Sequence, residues 1–238
     1  MIPWIQLGTG TVPGEDGTLR LMRRGDEFAI VIGVNELMNS RRSGSEVALA
    51  EIACGRLRER PRATVLIGGL GMGFTLRAAL ATLRPDARVV VAELVPAVVA
   101  WARGPLAPLF AGSLDDPRVE VRETDVFDAL KSGRDSYDAI LLDVDNGPEG
   151  LLREENDRLY DAGGLARAGA RLRPGGILGI WSEGPQDAFA GRLRRCGFAV
   201  EEIRVPASAG RGRRHVVWLA TRAGDGSAPR RPGPPARR

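Results

Sequence analysis

The strongest constraint on this chain is a regular alternation of strand and helix patterns that begins near residue 63. The strand patterns are continuous apolar runs such as Ala139-Ile140-Leu141-Leu142. Strands of this kind are buried on both faces, which is typical of a parallel sheet covered by helices. The pattern predicts strands at 64–68, 88–93, 119–122, 137–143, 176–181, 199–205 and 215–221, and helices at 74–83, 96–103, 126–130, 154–172 and 187–196.

The first 60 residues have a different pattern. Two short apolar runs at 18–22 and 28–33 flank Arg23-Arg24-Gly25-Asp26, which predicts a β-hairpin, and residues 45–53 have the spacing of a helix that begins at a capping serine. We therefore predict a β-hairpin and helix appendage at 1–60, a doubly wound α/β domain at 61–221 whose last two strands form an antiparallel pair, and a basic tail at 222–238.

The tail contains five arginines and one aspartate, so it accounts for the net charge of +4 of the whole chain. Its prolines and lack of apolar residues predict disorder. Such a segment can contact acidic partners, but it lacks the aromatic residues that stack on bases. We do not expect a nucleic-acid partner.

Composition excludes several classes of protein. No apolar run approaches the roughly 18 residues of a membrane span, and the first residues lack the pattern of a signal peptide, so we expect a cytoplasmic protein with no membrane partner. Two cysteines and one histidine do not make a metal site. The single lysine, Lys131, is followed by Ser-Gly in a predicted turn, which argues against a Walker P-loop or a pyridoxal enzyme.

A glycine-rich loop follows the strand at 64–68. Its sequence is Gly68-Gly69-Leu70-Gly71-Met72-Gly73, with glycines at every second position from 69 to 73. A dinucleotide-binding loop, G-x-G-x-x-G, would need glycine at position 74, where the chain has Phe74. The spacing favours a ligand without a pyrophosphate, such as S-adenosylmethionine, over a nicotinamide cofactor.

Acidic residues stand at the ends of the next three strands. Glu93 can accept hydrogen bonds from two ribose hydroxyls, and Asp125 with the backbone of Val126 can bind an adenine edge. Asp125 can equally cap the helix that starts at residue 126. Asp143 and Asp145 lie in a Gly/Pro loop, as catalytic bases or as turn formers.

Together these segments resemble class I S-adenosylmethionine-binding transferases, and nearly the whole chain resembles the polyamine aminopropyltransferases, the spermidine synthase family. The similar segments are 36–37, 65–77, 116–120, 137–143, 172–176 and 181–185. The resemblance implies a Rossmann-like α/β fold with a small N-terminal β appendage, and a homodimer. It also implies a catalytic Asp143 that contacts the donor, assisted by Asp145 or by Tyr160 on the acceptor side. The implied cofactor-binding residues are Gly69, Gly71, Met72, Gly73, Glu93, Leu94, Asp125 and Val126.

The chain departs from this family at five places. Where the family has an aspartate that binds the amine of decarboxylated S-adenosylmethionine, the chain has Met72, and the other departures are Val95, Asn146, Glu36 and Gly44-Ser45-Glu46. A thioether offers no charge to a buried ammonium, so Met72 slightly favours intact S-adenosylmethionine and methyl transfer.

The sequence thus predicts a transferase that moves an alkyl group from an adenosyl sulfonium to a small-molecule acceptor by in-line displacement, without a metal. One alternative is an aminopropyltransferase that uses decarboxylated S-adenosylmethionine to make a polyamine. Another is a non-catalytic S-adenosylmethionine-binding module, which would keep Glu93 and the glycines but would not need Asp143. A third alternative is an RNA-modifying enzyme recruited by the arginine tail, although the rest of the chain is charge-neutral and has no aromatic-basic face.

Overall fold

A computed structural model describes residues 2–14, 17–41, 43–132, 135–144, 158–206 and 214–223. These residues form a four-stranded antiparallel sheet and a seven-stranded mixed sheet with helices on both of its faces. The predicted class, an α/β fold with a small N-terminal β appendage, is confirmed. No helix in the described ranges is both long and apolar enough to cross a membrane.

The N-terminal sheet is larger than the predicted hairpin. Its strands are β1 (Ile5–Thr11), β2 (Thr18–Arg24), β3 (Glu27–Ile32) and β4 (Asn35–Asn39), paired in chain order. The prediction found only β2 and β3, because β1 is glycine-rich and half-exposed, and β4 opens with two exposed polar residues. A Cβ added at Gly10 would lie 2.3 Å from the Cβ of Ala97, so the glycine allows β1 to pack closely on a helix of the main domain.

The seven-stranded sheet follows helix α1 (Gly44–Gly55). Its strands lie in the order β10-β11-β9-β8-β5-β6-β7, and β11 is antiparallel to both of its neighbours while β5 to β9 are parallel. Their bounds are β5 Thr64–Gly68, β6 Arg88–Glu93, β7 Val119–Glu123, β8 Tyr137–Leu142, β9 Leu172–Ser182, β10 Phe198–Pro206 and β11 Arg214–Arg222. The predicted antiparallel final pair is present, and β11 extends one residue beyond the predicted domain boundary at 221.

The helices cover both faces of the sheet. They are α2 (Phe74–Thr82), α3 (Pro96–Arg103), α4 (Ala107–Phe110), a 3₁₀ turn (Ser113–Asp115), α5 (Val126–Ser132), α6 (Ala162–Arg171) and α7 (Asp187–Arg195). The helix predicted over 154–172 is interrupted. Residues 158–160 are helical, but Asp161 caps a new helix by accepting a 2.7 Å hydrogen bond from the N–H of Gly164. Residues 154–157 lie outside the described ranges.

Two apolar cores lie on opposite faces of the sheet, because alternate residues of each strand point to opposite sides. In β5, Val65 and Ile67 belong to one core and Leu66 to the other. The N-terminal sheet packs on the first core, to which it contributes Leu21 and Ile30, both fully buried. This packing holds the small sheet above the carboxyl ends of the parallel strands.

Candidate active site

A cleft lies at the carboxyl ends of β5, β6 and β8, next to the point where the strand order reverses, and the N-terminal sheet covers it. It consists of two adjoining cavities of about 170 and 130 Å³ that share Leu37, Met38, Gly71 and Asp143. Open α/β sheets bind ligands at such switch points. The arrangement therefore has room for an elongated ligand that passes from one cavity to the other.

The structure brings together the residues predicted to bind an adenosyl ligand. The first cavity is lined by Gly69, Gly71, Glu93, Leu94, Asp125, Val126 and Asp143, and the second by Gly71, Met72, Gly73 and Asp143. The sequence interpretation missed the opposite wall of the first cavity. This apolar wall comes from the N-terminal sheet and contains Val12, Leu19, Ile30, Ile32, Leu37 and Met38. In the sequence these residues form no motif, and their pattern cannot be distinguished from that of ordinary core residues.

The glycine loop is shaped by two close approaches within the protein. Gly69 has φ of +86°, and a Cβ there would lie 2.9 Å from the carbonyl oxygen of Asp143. Gly73 has φ of +79°, and a Cβ would lie 2.4 Å from the ring of Phe110. The glycine at 69 thus lets the loops after β5 and β8 meet. The glycine at 73 is required by the packing of Phe110, and its predicted role in binding the cofactor stays a prediction.

Glu93 is buried, with 7% of its surface exposed. Its Oε2 accepts a 2.8 Å hydrogen bond from the N–H of Leu70, and its Oε1 accepts one of 2.8 Å from the N–H of Val95. Burial raises the pKa of this carboxyl, and the backbone N–H groups oppose that rise. The side chain holds the glycine loop in place, and each oxygen keeps a lone pair for a ligand hydroxyl. Its ribose role stays a prediction.

Asp125 has the capping role that the sequence allowed for. Its Oδ1 accepts a 2.7 Å hydrogen bond from the N–H of Phe127 at the start of α5. Its Oδ2 lies 2.6 Å from Nη2 of Arg158, whose guanidinium also stacks on the Phe127 ring. An adenine amine would therefore compete with Arg158 for this carboxylate. The adenine role of Asp125 and Val126 stays a prediction.

Asp143 is the acid that both cavities share. Its Oδ2 accepts a 2.6 Å hydrogen bond from the hydroxyl of Thr75, on the first turn of α2. Burial, with a further contribution from the negative charge of Glu46, raises the pKa of Asp143 to about 7. The aspartate is therefore able to exchange a proton near neutral pH.

Glu46 is the second acid of the site, and the sequence gave it no site role. It lies at the head of α1 and lines the second cavity with Asp143. Burial raises the pKa of Glu46, and a 2.7 Å hydrogen bond from the hydroxyl of Ser45 opposes the rise. Two half-buried carboxylates in one cavity favour a cation between them, because a cation lowers the cost of ionising both.

The remaining walls of the second cavity are largely apolar and aromatic. Phe74 and Trp181 line it, and the Trp181 ring meets the ring of His215 edge-on at 5.0 Å. The buried Nε1 of Trp181 has no hydrogen-bond partner among the described residues. An ammonium group fits such a setting, since aromatic faces and carboxylates both attract it.

One predicted catalytic residue lies away from the cleft, and another falls outside the described residues. Tyr160 is 1% exposed, packs edge-on against Phe189 in the second core and lines neither cavity. Its hydroxyl donates a long, 3.4 Å hydrogen bond to the carbonyl of Val144. This position gives Tyr160 a packing role beside the Asp143 loop. Asp145 lies outside the described residues, as do residues 146–157.

Metal ligation has no support in the described ranges, where no group of three His, Cys, Asp or Glu side chains is arranged to hold an ion. The buried Cys54 does not contribute, and burial raises the pKa of its thiol to about 12.

The chain is similar to several polyamine aminopropyltransferases. It is 34% identical over 156 residues to polyamine aminopropyltransferase 1 of Streptomyces coelicolor, an alignment that covers 61% of this chain and 28% of the relative. It is 30% identical over 151 residues to the polyamine aminopropyltransferase of Mycobacterium tuberculosis, covering 60% and 28%. The chain thus spans about a quarter of the length of these relatives. No family model matches it.

Solved structures support the same assignment of fold. A spermidine synthase in complex with the transition-state analogue AdoDATO aligns with a TM-score of 0.71 at 18% identity, covering 92% of this chain and 73% of that one. The human methyltransferase-like protein 13 in complex with SAH aligns with a TM-score of 0.57 at 18% identity, covering 76% and 81%. The resemblance seen in the sequence is confirmed. The curated relatives are named polyamine aminopropyltransferases.

Proposed function

We propose that this chain transfers an aminopropyl group from decarboxylated S-adenosylmethionine to a small amine acceptor. The observation that supports this most is the pair of acids, Glu46 and Asp143, in the second cavity. The decarboxylated donor ends in an ammonium, which these acids would stabilise. Intact S-adenosylmethionine also carries a carboxylate, which they would repel. The argument from Met72 fails as an argument for methyl transfer, because Glu46 supplies an acid to the same cavity.

The two cavities divide the donor between them in this proposal. The adenosyl group fits the first cavity, with Glu93 at the ribose, Asp125 and Val126 at the adenine edge, and the apolar wall of the N-terminal sheet over its face. The aminopropyl chain then passes Gly71 towards Glu46 and Asp143. Gly71 helps here, because it has φ of +49° and no side chain to narrow the passage between the cavities.

The donor supplies a sulfonium leaving group, so the protein mainly aligns the reactants and accepts a proton. The neutral nitrogen of the acceptor forms a bond to the carbon beside the sulfonium, and the carbon–sulfur bond breaks to release methylthioadenosine. The new ammonium then loses one proton. Asp143 can accept it, because its pKa is close to 7 and the Thr75 hydroxyl fixes its orientation.

Titration calorimetry with decarboxylated and intact S-adenosylmethionine tests the proposal. We expect the decarboxylated donor to bind more tightly, and Glu46→Gln to weaken it about tenfold, or about 1.4 kcal/mol, with little effect on methylthioadenosine. Glu51→Gln is the matched control, because Glu51 is exposed on the same helix. Incubation with the decarboxylated donor and a linear diamine should give an aminopropylated product by mass spectrometry.

Other results would support a different function. Tighter binding of intact S-adenosylmethionine, with a methylated product, would restore methyl transfer. Donor binding without any product over a panel of amines would support the non-catalytic module. The homodimer and the cytoplasmic location remain predictions.

A further inference from the structure

We infer that His215, the single histidine of the chain, is a positioning residue that orients the Glu46 carboxylate through the hydroxyl of Ser45. The three side chains form a continuous hydrogen-bonded chain that ends in the second cavity. The inference rests on the proposed function in one respect, since it takes Glu46 to face the ammonium of the donor.

The geometry of this chain is specific. Ser45 is 1% exposed, and its Oγ lies 2.7 Å from Oε2 of Glu46 and 3.0 Å from Nδ1 of His215. A hydroxyl has one proton to donate, and an ionised carboxylate can only accept. When Glu46 is ionised, the Ser45 proton must therefore point to Glu46, and His215 must donate from Nδ1 to Ser45. The histidine thus fixes the direction of the hydroxyl, and the hydroxyl fixes the rotamer of the acid.

The surroundings of His215 hold the ring in place. His215 lies on β11, opposite Val205 of β10, and its ring meets Trp181 of β9 edge-on with an interplanar angle of 89°. Trp181 lines the same cavity as Glu46. The histidine consequently links β11 to the head of α1, which carries Ser45 and Glu46.

Variants separate this role from simple packing. His215→Phe keeps an aromatic ring against Trp181 and removes Nδ1, while Ser45→Ala removes the hydroxyl. We expect each to weaken binding of decarboxylated S-adenosylmethionine about tenfold, the double variant to be no weaker than either, and methylthioadenosine to bind as in wild type. His215→Asn, which can donate from a similar position, should recover most of the affinity. Thr82→Val is the control, because its hydroxyl donates to Ala78 within α2, away from the cleft.

A second measurement does not depend on the donor. Because the chain has one histidine, its imidazole nitrogen signals in an NMR spectrum are unambiguous. At a pH where Glu46 is ionised, wild type should show a protonated Nδ1, and Ser45→Ala should shift that signal.

Unchanged binding of the decarboxylated donor by His215→Phe would overturn the inference, as would an equal loss of methylthioadenosine binding, which marks a structural role. An unprotonated Nδ1 would overturn it as well. If wild type does not prefer the decarboxylated donor but Nδ1 is protonated and responds to Ser45→Ala, the proposed function fails while the hydrogen-bonded chain stands.

Discussion

The hydroxyl of Thr75 donates a 2.6 Å hydrogen bond to Oδ2 of Asp143, which ties the first turn of α2 to the loop after β8. The same hydroxyl lies 3.5 Å from the carbonyl oxygen of Glu46, at the head of α1. One small side chain therefore contacts both elements that carry the acids of the second cavity. The glycine loop, which leads directly into α2, cannot move without shifting the aspartate.

The raised pKa of Asp143 predicts how stability depends on pH. Its folded pKa of about 7 lies above the usual 3.8, so between these values the folded state holds a proton that the unfolded state has lost. Stability therefore falls as pH rises through this window. Asp143→Asn should match wild type only below about pH 3.8, the unfolded pKa, and should exceed it at pH 8 by about 1–2 kcal/mol, or roughly 2–8 °C in Tm.

Asp116 provides a control of opposite sign for that experiment. A hydrogen bond from Arg118 lowers the pKa of Asp116, so its contribution is present at neutral pH and disappears in acid. Asp116→Asn should thus lower Tm at pH 8, where Asp143→Asn raises it. If Asp143→Asn changes Tm by the same amount at pH 5 and pH 8, the proton on Asp143 is not the cause.

Gly73 and Gly112 share a φ of +79°, so comparing substitutions at the two positions separates the cost of backbone strain from the cost of a steric clash. An added Cβ at Gly73 meets the Phe110 ring at 2.4 Å, whereas one at Gly112 meets nothing within 4 Å. Gly112→Ala should therefore cost only the backbone strain, about 1 kcal/mol, and Gly73→Ala about 1–3 kcal/mol more by denaturant unfolding. Adding Phe110→Leu should recover part of the larger loss. Equal costs would contradict the packing role of Gly73.

Removing the charge of Glu93 should weaken adenosyl binding. Glu93→Gln cannot accept from the N–H groups of Leu70 and Val95 at once, and it loses a charge-assisted bond to the ribose. We expect the Kd of methylthioadenosine to rise by an amount equivalent to about 1.5–3 kcal/mol, with a lower Tm. Calorimetry well below the Tm of the variant keeps unfolding out of the result. Wild-type affinity would exclude the ribose role.

The position at which β11 ends predicts where the tail can be removed. Arg222 pairs with Phe198 across the strands, and its guanidinium donates to the carbonyl of Leu172. A chain truncated after Ala223 should therefore keep the Tm and donor affinity of wild type, while one truncated after Thr221 should lose stability. A marked fall in Tm for the longer chain would show that residues 224–238 contribute to the fold.

The sequence predicted the central strands and the cluster at their ends because both depend on local pattern. Ala139 to Leu142 is apolar throughout and is buried throughout, and Glu93, Asp125 and Asp143 each end a predicted strand. Parallel strands bring their carboxyl ends to one edge, so topology alone is enough to group these residues.

Other features of the site depend on packing between distant segments. Glu46 meets Asp143 only after α1 has docked on the sheet, and the pattern around Glu46 is that of an ordinary helix start. His215 meets Ser45 across 170 positions of the chain. Tyr160 shows the converse case, because nothing in its local sequence distinguishes a buried core tyrosine from one at a cleft, and its predicted role on the acceptor side stays a prediction.

The place of β11 inside the sheet has a consequence for synthesis on the ribosome. Among the described strands, β10 pairs only with β11, and β11 in turn pairs with β9. When β10 has emerged from the ribosome but β11 has not, β10 has no strand to pair with. The edge of β9 stays exposed until β11 emerges. Exposed strand edges are where chains associate wrongly. Because β11 pairs with both β9 and β10, a chain that stops before β11 should aggregate rather than form a smaller stable domain.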